Sequence, residues 1–567
     1  MEKISPFKTL YILLIFQIFI SNISARGVNG GLGCAGCTLT LGLAEQLAEI
    51  HEDSLYGALV KLCGMLPTNL KSKCMSVVDI LIPIISSPDL ADIWTPDVIC
   101  YGIGACHVDP GEQYCHLFPK PYTDFHESVK KVKKKFGNEK GFLSFDICDL
   151  PFVKDLCTAS YSWFEEMHPI LDIDNDRFSP LQMGRGSFWR GKDCLDFSST
   201  AYPGHGTSDF DQIQDKDCNG IFGVNMKSGV PYQKELCQTE QRGIIMVGDS
   251  VCARFRFPEA WADPMMITQD TFINSSDPIF DEFDWPQLGF GVGYMNSTDP
   301  LLVQGPVDSL YLRLRERNHC NHRDYQNLCR NGDLSIDVVK SAQLISRNSS
   351  TDYPALLIYN VIGNDVCNNM KDTLSNITTP EEFYQNVMDF LNNLPPRLPP
   401  GSHVILVALV DGSFIYDAMS ERYHPLGRFR KNVKYKDVYE WFTCMSIGPC
   451  NGWMTPNATL RKATSAKSIE LSYVLKNISS SHSFPFAIHY VENPINKVVA
   501  EMFLHNKSQD IWKLMEPVDS FHPNQYAQPL ITQTLWKSIM KVAPEALGPV
   551  NPNNKKIEEL FGNQRGH

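Results

Sequence analysis

The chain has 567 residues, of which 43% are hydrophobic and 20% charged, a balance typical of globular proteins and not of disordered ones. This length exceeds what one hydrophobic core usually organises, so we expect at least two domains. The net charge of -13 and the pI near 5.6 argue against nucleic-acid binding as the main activity.

Residues 1–26 are predicted to be a secretory signal peptide. Lys3 and Lys8 precede an apolar run at 10–20, and a small polar stretch follows up to Ala25. The run is too short to span a bilayer comfortably, so cleavage is favoured over anchoring. No later run is as hydrophobic, and we expect a soluble mature protein that is secreted or lysosomal.

Cysteines and glycosylation signals indicate the same secretory route. The 18 cysteines could form up to nine disulfides in an oxidising compartment. Asn-x-Ser/Thr sequons predict N-glycosylation at Asn274, Asn296, Asn348, Asn376, Asn457, Asn477 and Asn506.

Residues 27–112 are predicted to form a helical module closed by disulfides. Apolar positions recur at helical spacing, at Leu43, Leu47 and Ile50 and again at Leu55, Leu59 and Leu62. A zinc or redox role for Cys34 and Cys37 is disfavoured, because no cysteine or histidine follows at zinc-finger spacing and the compartment is oxidising.

The cysteine pattern of this module resembles the saposin B family. The resemblance implies nested bridges, Cys34 to Cys106 and Cys37 to Cys100, with Cys63 to Cys74 inside them. Members of that family bind lipids through apolar helical surfaces, so a lipid substrate and a membrane or micelle surface are implied partners. The spacing by itself indicates only a stapled helical module.

Residues 113–150 are interpreted as a linker or propeptide that is cut by proteases. The lysine-rich run at 129–135 and the glycine-containing stretch after it are typical of a solvated segment. An exposed linker in a secretory protein is an easy protease target.

Residues 151–237 form an Asp-rich region that is predicted to bind Ca²⁺. Oxygen-bearing side chains recur at every second residue in two loops, as in loops that wrap a hard cation, and Gly220 supplies the turn of the second loop. Neither loop has a Glu at its twelfth position, so a true EF-hand is doubtful and nearby acids must complete the sites. The alternative is a plain acidic loop. The expected ligands are Asp172, Asp174, Asp176, Phe178, Asp193, Asp196, Asp209, Asp211, Asp215, Asp217, Asn219 and Ile221.

Residues 238–567 are predicted to form an α/β domain. Apolar runs of strand length occur at 243–247, 355–361, 403–410 and 486–491, and they are separated by stretches of helical character such as 380–391. Buried strands that alternate with helices favour a parallel sheet with helices on both faces, a three-layer fold.

Polar motifs follow two of these strands, and two more lie elsewhere in the domain. The first strand runs into Gly-Asp-Ser250, and the second into Ile-Gly-Asn364; Asn-Leu-Cys-Arg-Asn-Gly332 lies between them, and Asp-Ser-Phe-His522 lies near the end. Any one of these motifs could be only a turn. In this order they resemble the four blocks of the SGNH hydrolases, also called GDSL-like esterases.

The SGNH resemblance implies a role for each motif. Ser250 would be the nucleophile, His522 the base and Asp519 its orienting acid, while Gly332, Asn364 and the Ser250 amide would donate to the oxyanion. Gly289, Gly291 or Gly293 could compete for the role of Gly332. Such a set suits acyl transfer, because an imidazole activates the hydroxyl and preorganised donors stabilise the tetrahedral oxyanion.

The order of the parts, covering nearly the whole chain, is similar to a family of secreted esterases. Enzymes of that family remove the secondary fatty acyl chains from the lipid A of bacterial lipopolysaccharide. The stretches 285–288 and 318–326 of this chain also resemble members of the family. Composition and spacing alone reach only a secreted esterase with a lipid-binding module. Another lipase or phospholipase acting on glycerolipids, or a non-enzymatic lipid-binding or transfer protein, remains the alternative.

This resemblance also implies small and large subunits, cut from one precursor and linked by a disulfide. The saposin pattern uses six of the seven cysteines up to Cys115, which leaves Cys115 without a partner just before the linker. Cys444 and Cys450 are candidates for the bond. We expect Cys450, because its Gly-Pro-Cys-Asn-Gly context is typical of a surface turn.

Overall fold

The computed structural model describes residues 27–66, 71, 74–75, 78–79, 93–120, 124–136, 166–271, 281–296, 303 and 305–567. The described residues do not include the expected signal peptide, residues 137–150 of the predicted linker, residues 151–165 of the predicted Asp-rich region or the Asn274 sequon. No described helix is long and apolar enough to cross a membrane.

The N-terminal part is helical, and the larger part alternates strands and helices. The N-terminal helices are α1 (Gly31–Ile50), α2 (Leu55–Met65), α3 (Pro96–Gly102) and α4 (Phe125–Phe136). The strands are β1 (Gly243–Gly248), β2 (Tyr325–Asn327), β3 (Ala355–Asn360), β4 (His403–Val407) and β5 (Ala487–Val491). The further helices are α5 (Tyr232–Leu236), α6 (Ser250–Ala253), α7 (Leu310–Arg317), α8 (Ser335–Leu344), α9 (Pro380–Asn392), α10 (Phe414–Met419), α11 (Pro425–Arg428), α12 (Tyr435–Met445), α13 (Ala458–Ser481), α14 (Pro494–Leu504), α15 (Ala527–Val542) and α16 (Asn554–Phe561).

The five strands form one parallel sheet in the order β2-β1-β3-β4-β5. Every residue of β1, β3 and β4 is buried, which requires cover on both faces of the sheet. This confirms the predicted three-layer α/β fold. The apolar run after Val407 leaves the strand, although the Val410 amide still donates to the Ile362 carbonyl at 2.9 Å.

The short strand β2 was not predicted from the sequence. Its three residues, Tyr-Gln-Asn, carry no apolar run, yet they pair with Ile244, Ile245 and Met246 of β1. Beyond β2, the Arg330 amide donates to the Gly248 carbonyl at 3.0 Å. The pairing therefore carries the chain on towards the end of β1, where the Gly-Asp-Ser motif begins.

The N-terminal module contains the three bridges implied by the saposin pattern: Cys34–Cys106, Cys37–Cys100 and Cys63–Cys74. Its core is shared with the α/β domain, because Val438, Trp441 and Met445 of α12 pack into the same buried cluster as Leu41 and Leu59. The module is therefore held against the α/β domain by apolar packing.

Polar contacts also join the module to the α/β domain. The Gln46 side chain donates to the Leu426 carbonyl at 2.7 Å, and Arg430 pairs with Glu45 at 3.0 Å and with Glu49 at 2.7 Å. The Val28 amide donates to the Met445 carbonyl at 2.8 Å. These contacts fix the module through α1 and the residues that precede it.

The lysine-rich run does not pass through solvent as expected. Residues 125–136 form α4, which packs on α3, with Val129 and Val132 almost fully buried. These valines and Phe125 recur at i, i+4 and i+7, so they share one helix face, and the lysines lie on the exposed side. The lysine content concealed this amphipathic pattern.

The expected bond between Cys115 and Cys450 is wrong. Cys115 is bonded to Cys444 on α12, and Cys450 is bonded to Cys367 inside the α/β domain. Cys450 is completely buried, so its glycine- and proline-containing context is not a surface turn. Cys444 lies on the helix that faces the N-terminal module, and this placement decides which cysteine reaches Cys115.

The predicted glycosylation sites that the structure describes are all exposed. They are Asn296, Asn348, Asn376, Asn457, Asn477 and Asn506. Glycosylation at these positions stays a prediction that is compatible with the fold.

Candidate active site

The sequence delivers Ser250 to the carboxyl edge of the sheet through a tight strand-to-helix junction. Gly248 ends β1 at a φ of 149°, and a Cβ atom there would lie 2.1 Å from the Asn360 carbonyl oxygen of β3. Only glycine permits this approach. The chain then turns at Asp249 into α6, whose first residue is Ser250.

Ser250, His522 and Asp519 form a hydrogen-bonded triad. The Ser250 Oγ lies 2.7 Å from His522 Nε2, and His522 Nδ1 lies 2.9 Å from Asp519 Oδ2. A carboxylate only accepts, so Nδ1 carries the proton and Nε2 accepts from the serine hydroxyl. The Asp519 carboxylate also accepts from the His522 amide at 3.0 Å, which holds the two residues in register.

Asp249 fixes the turn that carries Ser250, a role that sequence reasoning did not assign. Its carboxylate caps α6 by accepting from the Val251 amide at 3.1 Å, and its other oxygen accepts from the Ile362 amide at 2.8 Å. Burial raises the pKa of Asp249 to about 6. Asp249 therefore ties the exit of β1 to the loop after β3, which carries Asn364.

Asn364 and Gly332 lie in two loops that contact each other. Asn364 lines the same cavity as Ser250, and its Nδ2 donates to the Asp333 carbonyl at 2.9 Å, which leaves its second N–H available. Gly332 precedes Asp333, has a φ of 87° and is exposed.

The competing glycines lie elsewhere. The Gly289 amide donates to the Pro286 carbonyl at 3.1 Å and the Gly293 amide to the Gly289 carbonyl at 2.9 Å, so neither amide points to the site. A Cβ on Gly291 would meet the Met246 side chain. The Gly289 and Gly293 amides are thus already bonded within their own loop, whereas the loop of Gly332 contacts that of Asn364 through Asp333.

A buried ion pair fixes α6, which begins at Ser250, to the loop that carries His522. Arg254, directly after α6, places Nη1 2.8 Å from Glu516 Oε1, and both side chains are 1% exposed. Arg254 also donates to the Pro523 carbonyl at 3.2 Å, next to His522. No local sequence pattern signals this pair, because its members are distant in the chain.

A disulfide joins α6 to the loop that carries Gly332. Cys252 on α6 is bonded to Cys329, and both are buried. The Asn327 side chain adds a hydrogen bond to the Cys252 carbonyl at 2.8 Å. Two of the four motifs are thus covalently connected beneath the serine.

An apolar cavity opens beside Ser250. Its wall comes from the exit of β4, from α10, α14 and α15, and from the 3-10 helix Ser508–Leu514. Lining side chains include Val410, Phe414, Val498, Leu514 and Ile531. A hydrocarbon chain fits such a wall, while its ester carbonyl would lie at Ser250 and Asn364.

The Asp-rich segment brings its carboxylates together in two places. Asp172, Asp174 and Asp176 converge with Asp193 and Asp196, in two overlapping groups that share Asp174. Asp211, Asp215 and Asp217 form the second place. The Cys194–Cys218 bridge links the two stretches of chain.

Several of these carboxylate oxygens are buried and accept no hydrogen bond from the described residues. They are Asp172 Oδ1, Asp174 Oδ2, Asp176 Oδ2, Asp193 Oδ2 and Asp215 Oδ1. Burial raises the pKa of Asp176 to about 8 and that of Asp193 to about 6. Unpaired buried carboxylates that face one another fit a hard cation with oxygen ligands.

Four expected ligands are not among these converging carboxylates. Asp209 pairs with Lys216 at 2.6 Å, and the Asn219 Oδ1 accepts from the Ile221 amide at 2.7 Å. The Asn219 Nδ2 donates to Asp217 of the second cluster at 2.8 Å, so both ends of this amide are engaged within the loop. Phe178 and Ile221 offer only backbone oxygens.

Comparisons with known proteins agree with both parts of the fold. The model of the Saposin-like domain matches residues 33–158, and that of the GDSL-like Lipase/Acylhydrolase family matches residues 244–535. The fold and the site therefore define a lipid esterase of the GDSL-like class with a saposin-like module.

Full-length relatives narrow this class. The chain is 39% identical to acyloxyacyl hydrolase of Homo sapiens over 99% of this chain and 100% of that protein. It is 38% identical to the protein of that name from Mus musculus over 99% of each, and 39% identical to the one from Oryctolagus cuniculus over 94% of this chain and 93% of that protein. The chain belongs to the acyloxyacyl hydrolase family.

Proposed function

We propose that this esterase hydrolyses the secondary, acyloxyacyl-linked fatty acyl chains of lipid A in bacterial lipopolysaccharide. The observation that carries the proposal is the assembled Ser250–His522–Asp519 triad at the mouth of an apolar cavity. An acyloxyacyl bond is an ester between a fatty acid and the hydroxyl of another acyl chain, so the group to be bound is a hydrocarbon chain. The name of the relatives supports the same substrate.

The proposed mechanism is acyl transfer through Ser250. His522 Nε2 takes the hydroxyl proton as Oγ attacks the ester carbonyl, and Asp519 stabilises the imidazolium. The tetrahedral intermediate then expels the hydroxyacyl chain, which receives the proton from His522. Water, activated by the same imidazole, releases the fatty acid from Ser250.

The oxyanion of the intermediate would be bound by three donors. These are the Ser250 amide, the free N–H of Asn364 and the Gly332 amide, and each such donor contributes about 3 kcal/mol in a transition state. Asn364 is oriented for this task by its bond to the Asp333 carbonyl, 2.9 Å away. The Arg330 amide, which donates to the Gly248 carbonyl at 3.0 Å, supports this by holding the loop of Gly332 to the end of β1.

We propose that Ca²⁺ occupies the two carboxylate clusters. Asp172, Asp174, Asp176, Asp193 and Asp196 would hold one site, and Asp211, Asp215 and Asp217 the other. Bound calcium supplies positive charge to carboxylates that the described residues leave unpaired. The segment 166–231 contains no α-helix or β-strand among its described elements, so the ions would order it.

The proposal includes cleavage of the chain into a small and a large subunit. A cut within the predicted linker, on the C-terminal side of Cys115, would leave the saposin-like module tethered to the esterase part by Cys115–Cys444. The shared apolar core would keep the cleaved halves together without denaturant. The module would thereby remain beside the domain that hydrolyses its lipid.

The substrate is tested by assaying purified lipopolysaccharide and a diacyl glycerophospholipid side by side. We expect release of the secondary fatty acids, with the primary hydroxyacyl chains left on lipid A. The Ser250→Ala protein serves as the blank, and Ser480→Ala, an exposed serine on α13, is the matched control. Hydrolysis of the glycerophospholipid alone would favour a phospholipase, and binding of lipid without release by the unaltered protein would favour a transfer protein.

The tether is tested with Cys115→Ser and Cys444→Ser. The cleaved protein should run as one species without reductant and as two chains with it, and either variant should run as two chains in both lanes. Cys450→Ser is the control, because its partner Cys367 lies in the same subunit. Subunits that stay joined in Cys115→Ser would place the tether elsewhere.

A further inference from the structure

Two histidines and a glutamate converge near the amino ends of β4 and β5, whereas Ser250 lies at the carboxyl ends of the strands. His403 is the first residue of β4, His489 lies within β5, and Glu545 lies in the 3-10 turn Pro544–Leu547 after α15. His403 Nδ1 and His489 Nε2 are 3.1 Å apart. One ligand atom of each of the three residues lies within 4.8 Å of the other two.

The register of the sheet explains why the two rings meet. His403 pairs with Ala487 in the parallel ladder of β4 and β5. Side chains two residues apart on a strand point to the same face, so His489 lies on the face of His403. Helix α15 packs on β5, and the turn that follows it brings Glu545 to the same place.

We propose that His403, His489 and Glu545 bind a divalent transition-metal ion of the zinc type. Two imidazoles and one carboxylate are the ligand set of a three-ligand zinc site. Two ligands about 2.1 Å from a tetrahedral ion lie about 3.4 Å apart, close to the separation of the two nitrogens. Nitrogen ligands distinguish this site from the all-oxygen carboxylate clusters.

The surroundings of the rings suit a metal ion. Burial lowers the pKa of His403 to about 4, with a further contribution from Arg242, and burial also lowers the pKa of His489. Both rings are thus neutral at neutral pH, as ligands must be. The Arg242 charge is offset by Glu240, 2.7 Å away. Glu545 is exposed, so the ion has a path to the site and water can take the fourth position.

The ion would fasten the edge of the sheet. Strand β5 is an edge strand, and three of its five residues are only partly buried and one is exposed. A metal held by β4, β5 and the turn after α15 would tie this strand to its neighbour and to the helix that follows His522. Its role is thus placed in stability and not in the chemistry at Ser250.

The test is titration of the full-length, calcium-saturated protein with Zn²⁺, and with Co²⁺ as a spectroscopic probe. We expect one saturable site, a visible Co²⁺ spectrum of mixed nitrogen and oxygen ligation, and a rise in melting temperature on adding Zn²⁺. His489→Gln and Glu545→Gln should each weaken binding at least ~10-fold and remove the thermal shift.

The control is His505→Gln, an exposed histidine after α14, which should bind as the unaltered protein does. Both test residues are partly or fully exposed, so the variants are expected to fold, and circular dichroism checks this. Equal zinc affinity in His489→Gln and the unaltered protein, or no saturable Zn²⁺ binding by the unaltered protein, would overturn the proposal and leave the two rings as a hydrogen-bonded pair.

Discussion

The α/β domain and the Asp-rich segment both bury ionisable side chains, but they compensate them differently. In the α/β domain, Glu516 faces Arg254, and Asp324 pairs with Arg347, with all four side chains almost inaccessible. In the Asp-rich segment, Asp211, Asp215 and Asp217 face one another. Each of these two acids of the α/β domain thus has an arginine partner, whereas the three carboxylates of the Asp-rich segment have one another as neighbours.

The two regions thus show two ways of holding buried carboxylates in a rigid structure. A buried carboxylate with an arginine partner is satisfied by the fold alone, whereas clustered carboxylates raise one another's pKa and repel unless a cation joins them. The catalytic triad is accordingly complete in the polypeptide itself. The Asp-rich segment is expected to depend on the ions around the protein, and the following predictions test this contrast.

The largest effect is expected at the triad. Ser250→Ala and His522→Ala should each lower kcat for an ester substrate about 10⁴-fold or more, with little extra loss in the double variant, because the pair acts as a unit. The melting temperature, measured in parallel, should change little. A serine variant that keeps most of its turnover would rule out Ser250 as the nucleophile.

The next effect is expected at the buried ion pair. Glu516→Ala leaves the Arg254 guanidinium unpaired in the core, so the free energy of unfolding should fall by about 3–5 kcal/mol. Urea denaturation measures this loss, and Glu501→Ala, at an exposed position of α14, is the matched control. A loss below ~1 kcal/mol would mean that the pair is solvated and that the two regions do not differ in how they compensate buried charge.

The loss of each calcium ion should destabilise the Asp-rich segment by a similar or smaller amount. At 100 to 1,000 times the dissociation constant, a bound ion stabilises by about 3–4 kcal/mol, and a chelator should remove that gain. Thermal melting with and without chelator measures it. The Asp174→Ala, Asp217→Ala double variant should be insensitive to chelator, whereas Asp270→Ala, at an exposed loop position, should respond like the unaltered protein. Identical curves for the unaltered protein would indicate plain acidic loops.

The smallest effect is expected where charges are partly exposed. Arg430 pairs with Glu45 and Glu49 between the saposin-like module and α11, and the three side chains are 26%, 25% and 53% exposed. Solvent screens such pairs, so Arg430→Ala should cost no more than about 1 kcal/mol. A loss as large as that of Glu516→Ala would show that exposure does not govern the strength of these pairs.

The sequence predicts those strands and motifs that are marked by a pattern of neighbouring residues. Apolar runs predicted β1, β3, β4 and β5. The four motifs predicted Ser250, Asp519 and His522 as site residues, and the fold brings these three into hydrogen-bond contact. Strand β2 was missed because three polar residues have no periodicity. Helix α4 was missed because its lysines outnumber the two valines that form its buried face.

Long-range partners could not be read from the sequence in the same way. Cys444 and Cys450 lie six residues apart, and only the packing of α12 against the saposin-like module selects Cys444 for Cys115. Arg254 and Glu516 are joined by the fold and not by spacing. Asp193 and Asp196 were expected to complete the acidic loops, and they lie beside the first one, whereas Asp209 pairs with Lys216.

The bridge between Cys252 and Cys329 has a consequence for the biogenesis of the enzyme. It clamps the helix of Ser250 to the loop of Gly332 from beneath, and both cysteines are sealed from solvent. Cys252 and Cys329 both follow the predicted linker in the chain, so a cut in that linker would leave their bond intact. The arrangement of Ser250 and the Gly332 loop would then be the same before and after such a cut.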